Sequence, residues 1–175
     1  MIRILILLAC CSSAREGATI RTLASKPVRC FDGHVQQTRV GGEMIVVQIM
    51  GTRVLVAMQL GIGRKEAWLP VEDVVLVHDP PGPLEKLLDA AMKLAGYSEI
   101  VRVSQKGGEL RVVVGSKWQG HDPGEKFAFV QRFTDAWFTA NKAKRSSRLR
   151  VTVMGTGKGV LAKGDGKGVW LAFSR

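Results

Sequence analysis

Several residue types that support particular chemistries are scarce in this chain of 175 residues. It contains one tyrosine, three cysteines and three histidines. It also lacks an apolar run near the roughly 20 residues that a membrane-spanning helix needs, because Arg53 interrupts the longest candidate. These shortages exclude a disulfide-dense scaffold and predict that the protein binds no metal and no other cofactor.

The few cysteines and histidines are not grouped as catalysis requires. Cys10 and Cys11 belong to an N-terminal segment, which leaves Cys30 as a lone thiol that we interpret as a half-buried strand residue beside a turn. The three histidines lie in turn-like surroundings, without a nucleophile or ligand cluster beside them. They are His34, His78 and His121. The sequence therefore predicts a non-enzymatic protein, and a small hydrolase with catalytic residues that the pattern does not reveal stays open.

Residues 1–14 have the features of an export signal in the expected order. Arg3 supplies a positive charge, residues 4–9 form a short apolar run, and small residues suited to cleavage follow. We predict that this segment directs export, so that the protein is secreted or periplasmic. The segment also resembles a bacterial lipoprotein box, in which Cys10 would be lipidated and would anchor the protein to a membrane. If the signal does not function, the protein is cytoplasmic.

Acidic residues are scarce in the second half of the chain. Residues 1–83 contain 9 Lys/Arg and 7 Asp/Glu, whereas residues 84–175 contain 17 and 8, so most of the net charge of +11 lies in the second half. This asymmetry predicts an anionic partner for the second half, such as nucleic acid, a phosphate-rich wall polymer or lipid headgroups.

The basic residues are concentrated in one segment. No acidic residue occurs between Asp135 and Asp165, and five cations fall within nine positions. They are Lys142, Lys144, Arg145, Arg148 and Arg150. Cations near a helix C-terminus interact favourably with its dipole, which accounts for one or two of them. The others repel one another, so either they form a solvated edge or they are binding residues for an anionic polymer or an acidic partner surface.

The stretch 42–77 combines β-branched runs with glycines, which predicts three short strands and a tight turn. In it, Ala67-Trp68-Leu69 precedes Val71-Glu72-Asp73-Val74. This stretch resembles the bacterial Src homology 3-like domains of cell-envelope proteins. In those domains a strand follows a Gly-acidic pair, a second strand comes next, and a Trp-containing segment leads into a turn and a last strand. The resemblance covers 18–77 and implies a small β-barrel with Trp68 as a candidate binding residue, although Arg53 replaces an aromatic residue usual in the family.

The segment 78–83 contains three prolines and a glycine, which predicts a linker between two domains. Beyond it, helical periodicity, strand alternation and a capping motif predict a basic two-layer α+β domain over 84–175, in the order α-β-β-α-β-β with a possible further strand. The predicted elements are a helix over 84–95, a hairpin of 99–104 and 109–115, a helix from Asp122 to about Asn141, and strands near 149–154, 159–163 and 168–173.

The second predicted helix is apolar over about half of its circumference, because Phe127 and Phe138 widen an apolar face centred on Phe133. Either this helix lies across a sheet and touches the first helix, or Phe127, Thr134 and Phe138 form an edge that docks on the barrel or on a partner chain. Trp118, just before the helix, is predicted to plug the core.

Two glycine-rich segments, 155–159 and 164–168, superficially resemble phosphate loops. In each, Gly-Lys is followed by glycine and strand residues, rather than by Ser or Thr and a helix. We interpret both as hairpin turns whose glycines adopt positive φ.

These features predict a mixed α+β protein built from a β-barrel and an α+β domain. They favour a non-enzymatic cell-envelope protein that docks on a protein partner or an anionic wall polymer. The alternative is a nucleic-acid-binding protein that uses the basic second half. Export distinguishes these functions, because a secreted chain seldom meets nucleic acid.

Overall fold

The computed structural model describes residues 17–60, 63–91, 99–143, 148–157 and 159–172. The predicted export signal, with Cys10, lies outside these residues. The chain divides into two compact units between Pro80 and Pro81, inside the predicted linker. Strands and helices are both present, which confirms the mixed α+β class. None of the described helices has the length and apolar character that crossing a bilayer requires.

Strands make up the first unit. They are β1 (Thr19–Thr22), β2 (Pro27–Arg29), β3 (Val35–Gln37), β4 (Glu43–Met50), β5 (Arg53–Leu60), β6 (Gly63–Pro70) and β7 (Val74–Leu76), with a 3-10 turn at Val71–Asp73 between the last two. Five of them form an antiparallel sheet in the order β6-β5-β4-β1-β7, and β2 and β3 form a separate hairpin.

The core of the first unit comes mainly from alternate positions of these strands. Val46, Val56 and Leu69 are at most 1% exposed, and β5 contributes Val54, Val56 and Met58 to the core cluster, while Leu55 and Ala57 between them are also buried. The sheet is not closed: among the described residues, the edge strands β6 and β7 are not hydrogen-bonded to each other. The narrower prediction of a Src homology 3-like barrel is therefore not confirmed by this sheet.

The described residues of the second unit form two helices and five strands. They are α1 (Pro83–Ala91), β8 (Ile100–Lys106), β9 (Glu109–Val114), α2 (Pro123–Ala140), β10 (Arg150–Gly155), β11 (Val160–Asp165) and β12 (Gly168–Leu171), with a 3-10 turn at Ser116–Gly120. The sheet order is β12-β11-β10-β9-β8. Every neighbouring pair is antiparallel except β9 and β10, which are parallel because α2 carries the chain back between them.

Local signals place these elements close to their predicted positions. The start of α2 is fixed by a capping box, in which the Glu125 amide donates to Asp122 Oδ1 at 2.9 Å and the Asp122 amide donates to Glu125 Oε2 at 3.1 Å. The predicted hairpin is β8 and β9, and the third strand after α2 is present as β12. The predicted end of the first helix, beyond Ala91, lies outside the described residues.

The apolar side of α2 lies on the sheet. This helix packs against β10, β11, β12 and α1, and its Phe133 and Trp137 are fully buried. Trp137 Nε1 also donates to the Gly108 carbonyl at 3.1 Å, which satisfies the indole. Trp118 is 3% exposed and meets Phe129 edge to face at 5.3 Å, so it is the core plug that the sequence predicts.

The proposed docking edge of α2 is wrong in two of its three residues. Thr134 and Phe138 are buried within the second unit, and only Phe127, 46% exposed, faces outward. The helix is apolar over a wide arc because it is covered by the sheet and by α1, which is the first of the two alternatives. A single exposed phenylalanine is no docking edge.

The prediction that the glycines of segments 155–159 and 164–168 adopt positive φ is only partly right. In the first segment, Gly155, Gly157 and Gly159 lack the predicted positive φ. In the second, Gly168 has it, at 147°. Gly164 does not; it lies inside β11, where a β-carbon would come within 2.0 Å of Thr134 Oγ1 and 3.2 Å of Val130 Cγ1. Glycine is needed at this position because α2 lies so close to the strand.

We expect Gly164→Ala to lower the free energy of unfolding by about 1–3 kcal/mol, the usual range for overpacking a core. Thr134→Ala should recover part of this loss in the double variant, because it removes the atom that the added methyl group meets. The matched control is Gly157→Ala, since a β-carbon at Gly157 meets nothing within 4 Å. Urea denaturation gives all three values, and equal stabilities of the Gly164 and Gly157 variants would contradict the packing argument.

Candidate anion-binding surface

α2 covers one side of the second sheet, at β10, β11 and β12, and we call the other side the open face. No helix of the described part of the second unit packs on it. Cross-strand pairing places five of its residues side by side in one row across all five strands. From β12 to β8 they are Trp170, Lys163, Thr152, Arg111 and Ser104. An aromatic ring, two cations and two hydroxyl groups therefore share one line on the molecule.

A carboxylate organises the cations of the open face. Glu109 on β9 is only 12% exposed at its side chain. Its Oε2 accepts from Arg111 Nε at 3.0 Å and Nη2 at 2.9 Å, and its Oε1 accepts from Thr152 Oγ1 at 2.7 Å. Arg150 Nε lies 3.4 Å from the same Oε1. Glu109 thus fixes one guanidinium by two hydrogen bonds and holds a second one beside it.

The protonation of Glu109 follows from these contacts. Burial alone would raise the pKa of the Glu109 carboxyl, because it penalises the charged form. Hydrogen bonds from Thr152 and Arg111, with the positive charges of Arg111 and Arg150, outweigh burial and hold the pKa below its usual value. The carboxylate therefore stays ionised, and the arginines stay in place, in mildly acidic solution.

Lys163 and Trp170 form a second element of the open face, two and three strands away from Arg111. The Lys163 ammonium lies 5.8 Å from the centroid of the Trp170 ring, within the range of a cation–π contact. Trp170 is 54% exposed, which is unusual for a residue of this size. The edge strand β12 and its neighbour β11 therefore present an aromatic surface and a cation together.

The predicted basic cluster is only partly on this surface. Arg150 is, and its side chain is 61% exposed. Arg148 is exposed but precedes β10, so the alternation of that strand does not place it on one face with Arg150. Lys142 is exposed just after α2, while Lys144 and Arg145 lie outside the described residues. The structure therefore brings Arg150 together with cations from other strands, rather than with its neighbours in sequence.

Trp68 belongs to the other unit and has a different setting. It is a half-buried residue of β6 and pairs with Leu55 on β5. Its role in binding stays a prediction. Glu109, Arg111 and Trp170 were not among the residues that the sequence predicted, because only the pairing of β9 with β10 and of β11 with β12 brings them to one face.

A separate cluster forms around His121, beside the start of α2. Its Nε2 lies 2.5 Å from Glu99 Oε1, and its Nδ1 lies 3.0 Å from Glu125 Oε2. Hydrogen bonds to Glu99 and then to Glu125 raise the pKa of His121, while burial opposes this, and the imidazolium is favoured between two carboxylates. Sequence inspection missed this cluster because Glu99 is 22 positions away.

Both ring nitrogens of His121 face carboxylates, which leaves neither directed at a hydroxyl or thiol nucleophile. In the described ranges, no group of three or more His, Cys, Asp or Glu is placed to hold a metal ion. Cys30 is buried, more fully than we predicted, and burial followed by the nearby charge of Asp32 raises its pKa. These groups form structural contacts in the two units.

Comparisons of this chain with protein-family models, with curated proteins and with solved structures each find no match.

His121 gives a pH dependence whose sign is fixed. Its pKa is raised in the folded protein, so its contribution to stability is fully present below the unfolded value of about 6.5 and is lost as the pH rises through the folded pKa. We expect His121→Gln to remove this contribution of the histidine to stability. As the pH rises through the folded pKa of His121, the free energy of unfolding should therefore fall less in the variant than in the parent chain.

Titration of the His121 ring by NMR checks the cause directly. Its pKa should lie above 6.5 and should fall in Glu99→Gln, since Glu99 is the stronger partner. A His121 pKa at or below the unfolded value would contradict the contacts.

Proposed function

We propose that this chain is a non-enzymatic binding protein of the bacterial cell envelope, and that its second unit docks on an anionic wall polymer through the open face. The observation that carries the proposal is the Glu109 cluster. A partly buried carboxylate holds the guanidinium of Arg111, with Arg150 beside it, on the open face of the second sheet, opposite the side on which α2 packs.

The cluster favours binding for a physical reason. An arginine side chain loses rotamer entropy when it binds an anion, and a side chain that is already held loses less. Arg111 is held by Glu109 and still has a side chain 40% exposed, so part of its guanidinium is accessible. Lys163 adds a third cation, and Glu109 neutralises only one of the three charges. The face therefore keeps a positive surplus that suits an anionic polymer.

The first unit supports an envelope setting through its proposed fold. We propose that it is a Src homology 3-like module, of which the strand order β7-β1-β4-β5-β6 and the 3-10 turn before the last strand are the supporting features. The resemblance of residues 18–77 to envelope proteins and the export signal proposed for residues 1–14 point to the same compartment. The signal also makes Cys10 a candidate anchor.

The proposed lack of enzymatic activity has its own support. The charged cluster that looks most like catalytic machinery is that of Glu99, His121 and Glu125, and its histidine is fully engaged by the carboxylates. Loss of a measured hydrolytic activity in His121→Gln would favour the small hydrolase instead.

A nucleic-acid-binding protein is the second candidate function, and one observation favours it. An exposed tryptophan beside cations is the combination that single-stranded nucleic acid uses for stacking and phosphate contacts. An intact Met1 on the native protein in a soluble cytoplasmic fraction, detected by mass spectrometry, would give weight to this candidate and would count against export.

The proposed function predicts a localised effect of charge removal. We compare the triple variant Arg111→Gln, Arg150→Gln, Lys163→Gln with a control that loses the same charge from the helices, Lys86→Gln, Lys126→Gln, Arg132→Gln. Retention on isolated bacterial envelope at low salt should fall roughly three- to one-hundredfold in the first, because exposed ion pairs contribute about 0.2–1 kcal/mol each. Retention of the control should change little.

High salt should remove most of the difference between the two triple variants, since exposed charges are screened. Equal losses in both would mean that total charge, rather than the open face, governs retention. Circular dichroism of each variant checks that the fold is kept.

A further inference from the structure

Resting on the proposed function, we propose that the polymer bound by the open face is an acidic polysaccharide: Trp170 stacks on a sugar ring, and Arg111 and Arg150 bind carboxylate groups further along the chain.

Trp170 gives the open face a preference for ligands that contain rings, which charge alone does not supply. A flat indole surface that is 54% exposed buries apolar area when a pyranose ring lays its C–H face against it. The Lys163 ammonium lies 5.8 Å from the centroid of the indole ring. A sugar ring stacked on Trp170 would therefore have a cation near its acid group. A linear polyanion without rings would use the lysine but not the tryptophan.

The spacing of the row fits an extended polymer rather than a small anion. Neighbouring strands are about 4.8 Å apart, so Arg111 lies about 10 Å from Lys163 across two strand spacings and about 14 Å from Trp170 across three. A single phosphate or acetate cannot bridge these positions. A chain that crosses the strands meets the aromatic surface first, then Lys163, then the guanidiniums.

Polar groups in the row support both the cations and a hydroxyl-rich ligand. Ser104 continues the row beyond Arg111 and offers a hydroxyl. Thr152, between Lys163 and Arg111, is 4% exposed and donates to Glu109, so it holds the cluster in place rather than meeting the ligand. Glu109 occupies the Nε–Nη2 edge of Arg111, so a ligand carboxylate would meet the Nη1–Nη2 end of the planar guanidinium. Asp165, which lies beside Arg150 in the next row, accepts instead from the turn amides of Lys167 and Gly168, at 2.7 and 3.2 Å.

The count of aromatic side chains favours a polysaccharide over nucleic acid. Proteins that bind single strands without sequence preference stack successive bases on several aromatic rings along a basic groove. Among the described residues of β8 to β12, Trp170 is the only aromatic one. One tryptophan followed by spaced cations matches a ligand that stacks one sugar ring and presents several carboxylate groups.

The test uses the full chain and four probes at one ionic strength: an oligogalacturonate, an oligoglutamate of the same charge, a neutral dextran oligomer and an oligothymidylate. Titration calorimetry should show that the oligogalacturonate binds more tightly than the oligoglutamate, and that dextran does not bind. Trp170→Ala should weaken oligogalacturonate binding about three- to tenfold, as expected for one aromatic contact, and leave oligoglutamate binding unchanged.

Two further variants separate the contributions. Arg111→Gln should weaken both anionic probes, whereas Arg132→Gln, an exposed cation of α2, should weaken neither. Trp170→Phe keeps an aromatic ring and should retain most of the affinity, which guards against a folding defect in the alanine variant.

The remaining outcomes overturn the inference in distinguishable ways. Equal binding of oligogalacturonate and oligoglutamate, with no effect of Trp170→Ala, would leave a simple anion-binding face and keep the proposed function. Tighter binding of oligothymidylate, lost in Trp170→Ala, would assign the face to nucleic acid. Failure of every anionic probe to bind would remove the proposed function as well.

Discussion

The close approach of α2 to β11 at Gly164 is the constraint on which the second unit depends. It lets the helix lie directly on the strands, with Phe133 and Trp137 in the core. Because α2 packs on one side of the sheet, the charged residues at alternate positions of the strands face the other side. The concentration of arginine and lysine on the open face is thus a consequence of how the helix layer packs.

Electrostatics then determines which arrangement of these charges is stable. Arg111 and Arg150 would repel each other at neighbouring positions of β9 and β10, and the Glu109 carboxylate between them offsets this repulsion. Partial burial of the carboxylate costs free energy, which the hydrogen bonds from Thr152 and Arg111 compensate. The His121 cluster follows the same rule with the signs exchanged, one cation between two carboxylates.

Sequence reasoning succeeded where the cause of a structure is local. The capping box at Asp122, the β8–β9 hairpin and the burial of Trp118 follow from patterns a few residues long. It failed where the cause is contact between distant segments. Thr134 was included in the alternative of a docking edge, and Gly164 was assigned to a turn, although the two residues face each other in the core. The candidate site on the open face also depends on contact between distant segments. Of the residues of the Glu109 cluster, sequence reasoning predicted only Arg150 as a binding residue.

The parallel pairing of β9 with β10 has a consequence for how the open face comes into being. Glu109 and Thr152 are 43 positions apart and meet only after the intervening helix has returned the chain to the sheet. An unfolded or half-folded chain carries the same charges but no ordered cluster. A ligand that needs the cluster binds the native state alone, and by mass action it stabilises the whole sheet in proportion to the logarithm of its concentration. The polymer on which this protein is proposed to dock would therefore also help to keep it folded.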